Sequence, residues 1–140
     1  MLLKFVLRLG MKLHVFLYRR SGGKTWGSMN GVPVMLLTTI GRKTGLQRTT
    51  PVLYLTDGPN YVISASNGGR DSHPAWWGNL QSQPRATIEV GSTTQTVTAR
   101  PASHEEKTRL WAELVARAPI FEGYQKTTTR DIPMVILSPV

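Results

Sequence analysis

Residues 33–66 read PVMLLTTIGRKTGLQRTTPVLYLTDGPNYVISAS, and this stretch decides the fold. Runs of large apolar and β-branched residues predict three strands, at 33–40, 51–56 and 60–66. Gly41–Gly45 predicts the turn between the first two, and Asp57-Gly58-Pro59 predicts a hairpin between the second and third. Because turns and not helices join these strands, the sheet is expected to be antiparallel.

The remaining elements extend this sheet. A second hairpin is predicted around Gly91, and a last strand follows, giving strands at 85–90, 94–100 and 133–138. Residues 73–82 predict a short helix with Pro74 in its first turn, entered through Asp71 and Ser72. Ser103 to Glu106 form a capping box that starts a helix ending near Arg117. The expected fold class is α+β: a six-stranded, mostly antiparallel barrel with flanking helices.

Composition limits the chemistry. The 140 residues suit one domain, and the chain has no cysteine, which excludes disulfides and thiolate metal sites. No metal site is expected. The net charge of +9 lies entirely before Thr56, where nine basic residues meet no acidic one: Lys4, Arg8, Lys12, Arg19, Arg20, Lys24, Arg42, Lys43 and Arg48. Such asymmetry indicates a polyanionic partner, which could be a nucleic acid, a membrane surface or a phosphorylated ligand.

Residues 1–20 predict a helix with a broad apolar face and a basic stripe. Charges interrupt every apolar run, so neither a membrane span nor a cleavable signal peptide is expected. Two interpretations stay open and can coexist: the helix packs on its own domain, or it binds an anionic membrane surface. The domain organisation is therefore an amphipathic helix at 1–24 and a single barrel domain at 25–140.

The turn at Gly41–Gly45 is the strongest candidate for binding. Arg42, Lys43 and Arg48 lie beside it with threonine hydroxyls, and outward backbone N–H groups would complete an anion cradle. The alternative is a solvated basic hairpin. The segment Gly41–Gly45 is not a Walker A loop, because Lys43-Thr44 precedes the second glycine and does not follow it.

Three further segments could line a ligand site. Ala65–Gly69 allows a flat ligand to approach the backbone closely. His73–Leu80 places two adjacent tryptophans on different sides of a helix, so that at least one could face a groove while the other packs in the core. Phe121–Tyr124 is expected to be a loop whose aromatic rings cover the site opening. No nucleophile, base and acid can be assembled, which favours chemistry supplied by a bound cofactor.

These motifs coincide with those of a known family. The patterns GRK[ST]G-x-x-R-[TS]-x-P and A-S-x-G-G-x-x-x-x-P-x-W, together with the tail YQKTTTRDIPMVILSP, make residues 32–140 resemble the deazaflavin-dependent nitroreductase family of actinobacteria. The resemblance implies a split β-barrel related to FMN-binding barrels. It also implies the deazaflavin coenzyme F420, whose tail carries a phosphate and a polyglutamate chain. The implied reaction is hydride transfer from C5 of the reduced coenzyme to a quinone, an activated enone or a nitroaromatic compound.

The resemblance also implies roles for individual residues. Arg42, Lys43, Thr44 and Arg48 would hold the phosphate and the acidic tail. The route to the ring and the edge of the ring would be lined by Thr49, Thr50, Pro51, Val52, Leu53, Ser64, Ala65, Ser66 and Asn67. The helix under the ring and tail would supply Ala75, Trp76, Trp77, Gly78 and Asn79. Phe121 and Tyr124 would close the substrate side, and Ser66 or Tyr124 would act in catalysis by donating a hydrogen bond or a water-relayed proton to the acceptor.

The sequence leaves alternatives for the cofactor and for the oligomeric state. An FMN enzyme on the same barrel is less expected, because FMN carries no polyglutamate for the basic residues; a non-catalytic deazaflavin carrier is a further alternative. A nucleic-acid partner is not expected, because no recognition motif is present. The segment 118–124 holds one tyrosine, whereas members of the resembled family that activate nitroimidazoles tend to carry several, so nitroimidazole activation is not expected. The acceptor is expected to be a quinone such as menaquinone, and the protein a monomer or homodimer. It is expected to be cytoplasmic and peripheral on the inner face of the cell membrane.

Overall fold

Seven strands and four helices make up the computed structural model, which describes residues 2–29 and 31–140, without the side chains of residues 3–5. The strands are β1 Ser28–Met29, β2 Val32–Ile40, β3 Gln47–Asp57, β4 Asn60–Ser64, β5 Arg85–Val90, β6 Thr93–Pro101 and β7 Met134–Pro139. The helices are α1 Leu2–Ser21, α2 Ala75–Ser82, α3 His104–Arg117 and α4 Ile120–Lys126. A single 3₁₀ turn covers Asn67–Gly69.

Six of these strands close into a barrel. They follow the order β2-β3-β4-β7-β6-β5, and β5 pairs back with β2 through the register Leu36 to Glu89 and Thr38 to Thr87. Every pairing is antiparallel, and β1 adds a two-residue strand beside β2. The predicted fold class, a split β-barrel with flanking helices, is confirmed.

Alternation along the strands decides which side chains fill the barrel. Met35, Ile63 and Leu137 point inward and pack with the tryptophans of α2, which closes one end. The residues one position along point outward, where helices cover them. On β4 and β7, Val62 and Ile136 are covered by α3 and α4.

Helix α1 covers the outer face of β2. Its buried residue Tyr18 packs on Val34 and Leu36. The Tyr18 hydroxyl donates to the Val34 carbonyl oxygen at 3.0 Å and accepts from the Gly91 N–H at 2.9 Å. Burial raises the pKa of Tyr18, so the hydroxyl keeps the proton that it donates. Arg19 adds a two-bond ion pair with Glu89, at 2.9 and 2.8 Å. The end of α1 is thereby fixed to two strands.

Two sequence predictions were wrong in detail. The segment containing Phe121 and Tyr124 is not a loop but helix α4. Phe121 is buried against the ring of Trp111 on α3, and this burial stabilises the helix. Helix α2 begins at Ala75, not earlier, because its N-cap Pro74 has an extended ψ of 150° and a proline disfavours helical backbone at the residue before it, here His73. Asp71 accepts a hydrogen bond from Thr128 and does not cap the helix.

Other predictions hold. The capping box of α3 forms as expected, with Ser103 and Glu106 each accepting from the other's backbone N–H. Strand β3 starts at Gln47, four residues earlier than predicted, because Gln47 to Thr50 pair with the end of β2. In residues 2–29 and 31–140, no helix is both long and apolar enough to cross a lipid bilayer.

Candidate active site

A continuous groove runs between α1, α2 and the outer face of β3. It consists of two cavities of about 870 and about 880 Å³. Five residues line both cavities and therefore mark their junction: Arg8, Met11, Thr50, Ala75 and Trp76. We call the cavity beside the Gly41–Gly45 turn the basic half and the other the apolar half. The groove is large enough for an extended ligand with two chemically different ends.

The basic half is a concentration of positive charge. Its lining includes five cationic side chains, namely Arg8, Lys12, Arg42, Lys43 and Arg48, and four threonines, namely Thr39, Thr44, Thr49 and Thr50. No described carboxylate lines it or forms an ion pair with any of these five cations. An uncompensated positive field of this kind attracts anions.

Several backbone N–H groups of the turn are bonded within the protein, so they are not free to bind a ligand. The Gly41 N–H donates to the Leu46 carbonyl, and the Gly45 N–H donates to the Gly41 carbonyl, both at 2.8 Å. The Leu46 N–H donates to Thr44 Oγ1 at 3.2 Å. These bonds close the turn on itself, with Gly45 at a φ of 72° that favours glycine. The guanidinium, ammonium and hydroxyl groups beside the turn are the main candidates for anion binding.

Arg42 is held in place by helix α2. Its guanidinium Nη1 donates to the Ala75 carbonyl at 3.1 Å and to Asn79 Oδ1 at 3.2 Å. Asn79 is buried, and its Nδ2 donates to Thr39 Oγ1 at 3.1 Å. Gly78 makes this arrangement possible, because a Cβ atom there would lie 2.7 Å from Arg42 Nη1. The cation is thus positioned before any ligand arrives.

The apolar half lies between β3, β4 and the helices α3 and α4. Leu53, Leu114, Phe121 and Met134 are among the residues that line it. Two serines interrupt this lining at the end of β4. Ser64 Oγ is buried and has no hydrogen-bond partner among the described residues, while Ser66 is 7% exposed. A buried hydroxyl without a partner is a position where a ligand can supply the missing hydrogen bond.

The loop 66–73 forms one wall of the apolar half and is tied down by Arg130. The Arg130 guanidinium donates to the Ser66 carbonyl at 2.7 Å and to the Arg70 carbonyl at 2.8 Å, and it lies 2.9 Å from His73 Nδ1. Thr127 Oγ1 donates to the Gly69 carbonyl at 2.8 Å. His73 thus takes part in holding this loop.

Helix α4 forms the wall beside this loop. The rings of Phe121 and Tyr124 meet edge to face with centroids 5.3 Å apart, and both line the apolar half. Gly69 lies so close to the Tyr124 backbone that any larger residue would collide with it. The two walls are consequently in contact, and Ser66 and Tyr124 face the same cavity.

Most sequence-predicted site residues line the groove. The basic half contains Arg42, Lys43, Thr44, Arg48, Thr49, Thr50, Ala75, Trp76 and Asn79, and the apolar half adds Pro51, Val52, Leu53, Ser64, Ser66, Asn67, Phe121 and Tyr124. Three do not line it. Ala65 and Trp77 belong to the barrel core, and Gly78 touches the groove only through Arg42. Trp76 therefore packs in the core and also lines the groove, whereas Trp77 packs in the core alone.

The sequence did not identify the contribution of α1. Leu7, Arg8, Met11, Lys12 and Val15 line the groove, so the N-terminal helix is one of its walls. The basic stripe with Arg8 and Lys12 four residues apart was the available signal, but the sequence indicated only packing on the domain or contact with a membrane. Arg70 and His73 also line the apolar half and were not predicted to do so.

Comparison with known proteins identifies the family. The model of the F420H(2)-dependent quinone reductase family matches residues 10–139. The chain belongs to this family. It is accordingly an F420-dependent oxidoreductase whose cofactor is coenzyme F420. The deazaflavin resemblance seen in the sequence is confirmed, and an FMN enzyme and a non-catalytic carrier are set aside.

Individual relatives agree with this assignment. The chain is 37% identical over 132 residues to an F420H(2)-dependent quinone reductase of Mycobacterium tuberculosis (strain H37Rv), covering 91% of this chain and 89% of the relative. It resembles a solved F420-H2 dependent reductase with a TM-score of 0.69 and 33% identity, covering 76% of this chain and 94% of that one. Another solved structure, described as a domain-swapped dimer, matches with a TM-score of 0.72 and 27% identity over 91% of this chain and 95% of that one.

The groove fits the coenzyme. The uncompensated cations of the basic half suit a phosphate and a chain of carboxylates. The buried Ser64 hydroxyl without a partner lies farther along the same groove, where the polar edge of a flat ring could complete it. The groove therefore matches a ligand with two different ends. Its cations suit an acidic tail, and the unpaired Ser64 hydroxyl among apolar residues suits the polar edge of an aromatic ring.

Proposed function

We propose that this protein reduces a quinone such as menaquinone at the junction between the two halves of the groove. The observation that carries the proposal is the continuity of a basic cavity with an apolar one. An acidic coenzyme requires basic surroundings and an apolar acceptor requires apolar ones. The two must also be in contact for hydride transfer. Trp76 and Thr50, which line both cavities, mark the place where they do.

Three sets of residues hold the coenzyme in this proposal. Arg42, Lys43, Thr44 and Arg48 bind the phosphate and the acidic tail. Thr49, Thr50, Pro51, Val52 and Leu53 lie along the route to the ring, and Ser64, Ser66 and Asn67 lie at its edge. Ala75, Trp76 and Asn79 lie on the α2 side, where Asn79 acts chiefly by holding Arg42. Ala65, Trp77 and Gly78 support these groups from the core and the α2 backbone.

When bound, the reduced deazaflavin supplies a hydride. The protein contributes orientation and the exclusion of water, and these effects lower the barrier without an acid–base residue of its own. Ser66 and Tyr124 face the cavity that receives the acceptor. Either hydroxyl can donate a hydrogen bond to the acceptor oxygen as that oxygen gains negative charge. Phe121 and Tyr124 provide the aromatic surface on the acceptor side.

Activated enones and nitroaromatic compounds are further candidate acceptors, since the apolar half makes no contact that only a quinone could satisfy. Nitroimidazoles are not favoured, because Tyr124 is the one tyrosine that lines the described groove. A panel of these acceptors assayed beside a quinone tests the preference. A quinone should give the highest kcat/KM.

The outer face of α1 suggests where the acceptor comes from. Leu2, Val6, Leu9, Leu13 and Phe16 recur at helical spacing and are each at least half exposed, with Leu9 at 58%. The inner face lines the groove. We therefore propose that α1 lies on an anionic membrane surface, so that the groove opens beside the lipid from which a quinone can enter.

Vesicle binding tests the membrane proposal. Deleting residues 1–20 or replacing Leu9, Leu13 and Phe16 by serine should reduce sedimentation with anionic vesicles. Met29→Ser, which removes an exposed apolar residue outside α1, is the control and should sediment like the wild type. Equal sedimentation of all variants would contradict this role of α1.

The oligomeric state is a monomer or a homodimer in this proposal. A homodimer is the alternative that a similar structure supports, because that structure is described as a domain-swapped dimer. Light scattering of the full chain distinguishes the two.

Turnover tests the reaction itself. Purified protein mixed anaerobically with reduced F420 and a soluble menaquinone analogue should oxidise the coenzyme, with F420 absorbance as the readout. Ser66→Ala and Tyr124→Phe should each lower kcat, and the double variant should lower it further. Unchanged kcat in both single variants would remove these two residues from the mechanism, and no turnover with any quinone would remove the proposed acceptor.

A further inference from the structure

Helix α1 presents two chemically different faces, an exposed apolar face and a face that lines the groove. Arg8 and Lys12, one helical turn apart, line the basic half of the groove. They line the same cavity as Arg42 and Lys43 of the β2–β3 turn and Arg48 at the start of β3. The positive charge therefore comes from two elements that are far apart in the sequence.

The cations of α1 differ in whether they are neutralised. Arg19 is paired with Glu89 through two hydrogen bonds, so its charge serves to fasten the helix to β5. Arg8 and Lys12 form no ion pair with a described carboxylate, although they line a cavity. Two unpaired cations brought near three others repel one another unless an anion separates them.

The position of α1 is fixed from its C-terminal end. Tyr18 and Arg19 anchor that end to β2 and the β5–β6 hairpin, while the groove-lining residues lie one to three turns earlier. Because the helix is a rigid rod over this distance, the anchor determines where Arg8 and Lys12 are placed. They are presented to the groove by the fold and do not reach it by chance.

We infer that Arg8 and Lys12 bind the acidic tail of the coenzyme, so that α1 completes the coenzyme site. This inference rests on the proposed function, and it deepens it by assigning a specificity for tail charge to the N-terminal helix. Arg42, Lys43 and Arg48 can neutralise a phosphate and part of a short tail. The two helix cations provide for the additional carboxylates of a longer polyglutamate chain, and they favour that chain over a ligand with phosphate alone.

A titration of coenzyme fluorescence tests the inference without any catalytic step. The wild type, Arg8→Gln, Lys12→Gln and the double variant are each titrated with long-tailed F420 and with the deazaflavin riboflavin analogue that lacks phosphate and glutamates. The double variant should bind F420 about 3- to 20-fold more weakly, as expected for two partly exposed ion pairs. Its affinity for the tail-free analogue should be unchanged, and its dependence on salt should be shallower.

Arg20→Gln is the matched control, because it removes the same charge from the same helix at a residue that does not line the groove. It should bind both ligands like the wild type. Lys12→Arg should keep full affinity for F420, which separates a loss of charge from a loss of helix structure. Circular dichroism checks that α1 remains folded in every variant.

The titration distinguishes a failure of the inference from a failure of the proposed function. Tight F420 binding by the wild type with the same affinity in the double variant overturns the inference and leaves the proposed function standing. Equal weakening by Arg20→Gln also overturns it, because the effect would then be one of net charge. A wild type that binds no F420 overturns the proposed function and the inference together.

Discussion

Asn79 accepts two hydrogen bonds from Arg42, one from the backbone N–H at 3.1 Å and one from guanidinium Nη1 at 3.2 Å. The two residues are 37 positions apart, on α2 and on the β2–β3 turn. A buried amide thus sets both the backbone of the basic turn and the direction of its first cation. This relationship explains two residues of the α2 sequence AWWGN. Asn79 accepts the hydrogen bonds from Arg42, and Gly78 leaves room for the guanidinium.

Replacing Asn79 by leucine removes both bonds while keeping a similar volume. The Arg42 N–H loses its partner in a partly buried place, so the free energy of unfolding should fall by about 1–3 kcal/mol. F420 affinity should fall about 5- to 10-fold, which corresponds to the loss of one well-placed hydrogen bond. Urea unfolding and fluorescence titration measure the two effects.

Gln95→Leu is the control for this variant, because it removes a hydrogen bond to Tyr61 on the other side of the barrel. It should lower stability without changing F420 affinity. The account of Asn79 is contradicted if Asn79→Leu unfolds more easily but binds F420 as tightly as the wild type.

Gly78→Ala places a methyl group 2.7 Å from Arg42 Nη1. The guanidinium is the far end of a flexible side chain, so the protein should fold normally while the cation moves away from its place. F420 binding should weaken several-fold with little change in the unfolding midpoint. Gly10→Ala, where a Cβ meets no atom within 4 Å, is the control and should bind normally while stabilising α1 by up to about 1 kcal/mol. Unchanged binding in Gly78→Ala would show that the position of Arg42 is unimportant.

Arg130→Met removes the guanidinium that ties down the loop 66–73. Amide hydrogen exchange in that loop should accelerate, with a local stability loss of about 1–3 kcal/mol, and KM for the quinone should rise. Lys126→Met is the control, because Lys126 pairs only with the exposed Glu122 in the described structure. If exchange in residues 66–73 is the same in both variants, the loop is held by other contacts.

Stability should depend on pH through Glu106. The Arg100 guanidinium and the Ser103 N–H, both hydrogen-bonded to this carboxylate, lower the pKa of Glu106 to about 2. A lowered pKa in the folded state gives stability that is complete above the ordinary glutamate pKa of about 4.3 and is lost as pH falls towards about 2. Urea midpoints of the wild type should therefore fall across this interval, and those of Glu106→Gln should fall less.

Glu105→Gln provides the comparison, since Glu105 is an exposed neighbour in the same first turn. It should keep most of the acid-induced fall. Identical pH profiles for the wild type and Glu106→Gln would contradict the assignment of this interval to Glu106.

Local patterns in the sequence predicted the strands, the capping box and the basic turn, because alternation and turn residues act over a few positions. The part of the site that the sequence missed depends on contacts between distant residues. Tyr18 meets Gly91, 73 positions away, and this contact brings Arg8 and Lys12 to the groove. Arg130 meets Ser66 across 64 positions. No periodicity encodes such pairings, so the basic stripe of α1 could be assigned to a membrane as readily as to a ligand.

Helix α4 shows the same limit on a smaller scale. The segment from Ile120 to Lys126 has a glycine in its interior and follows a proline, so its local preference for helix is weak. Burial of Phe121 against Trp111 and Tyr124 supplies the missing stability. Burial of this kind depends on α3 and is not visible in seven residues.

The most direct test of the central claim is a parallel fluorescence titration of the full chain with oxidised F420 and with FMN at physiological salt. A groove whose basic half holds an acidic tail should bind F420 much more tightly than FMN, and Asn79→Leu should weaken only the F420 curve substantially. Equal or tighter binding of FMN would contradict the claim, because the five cations of the basic half would then have no role in choosing the coenzyme.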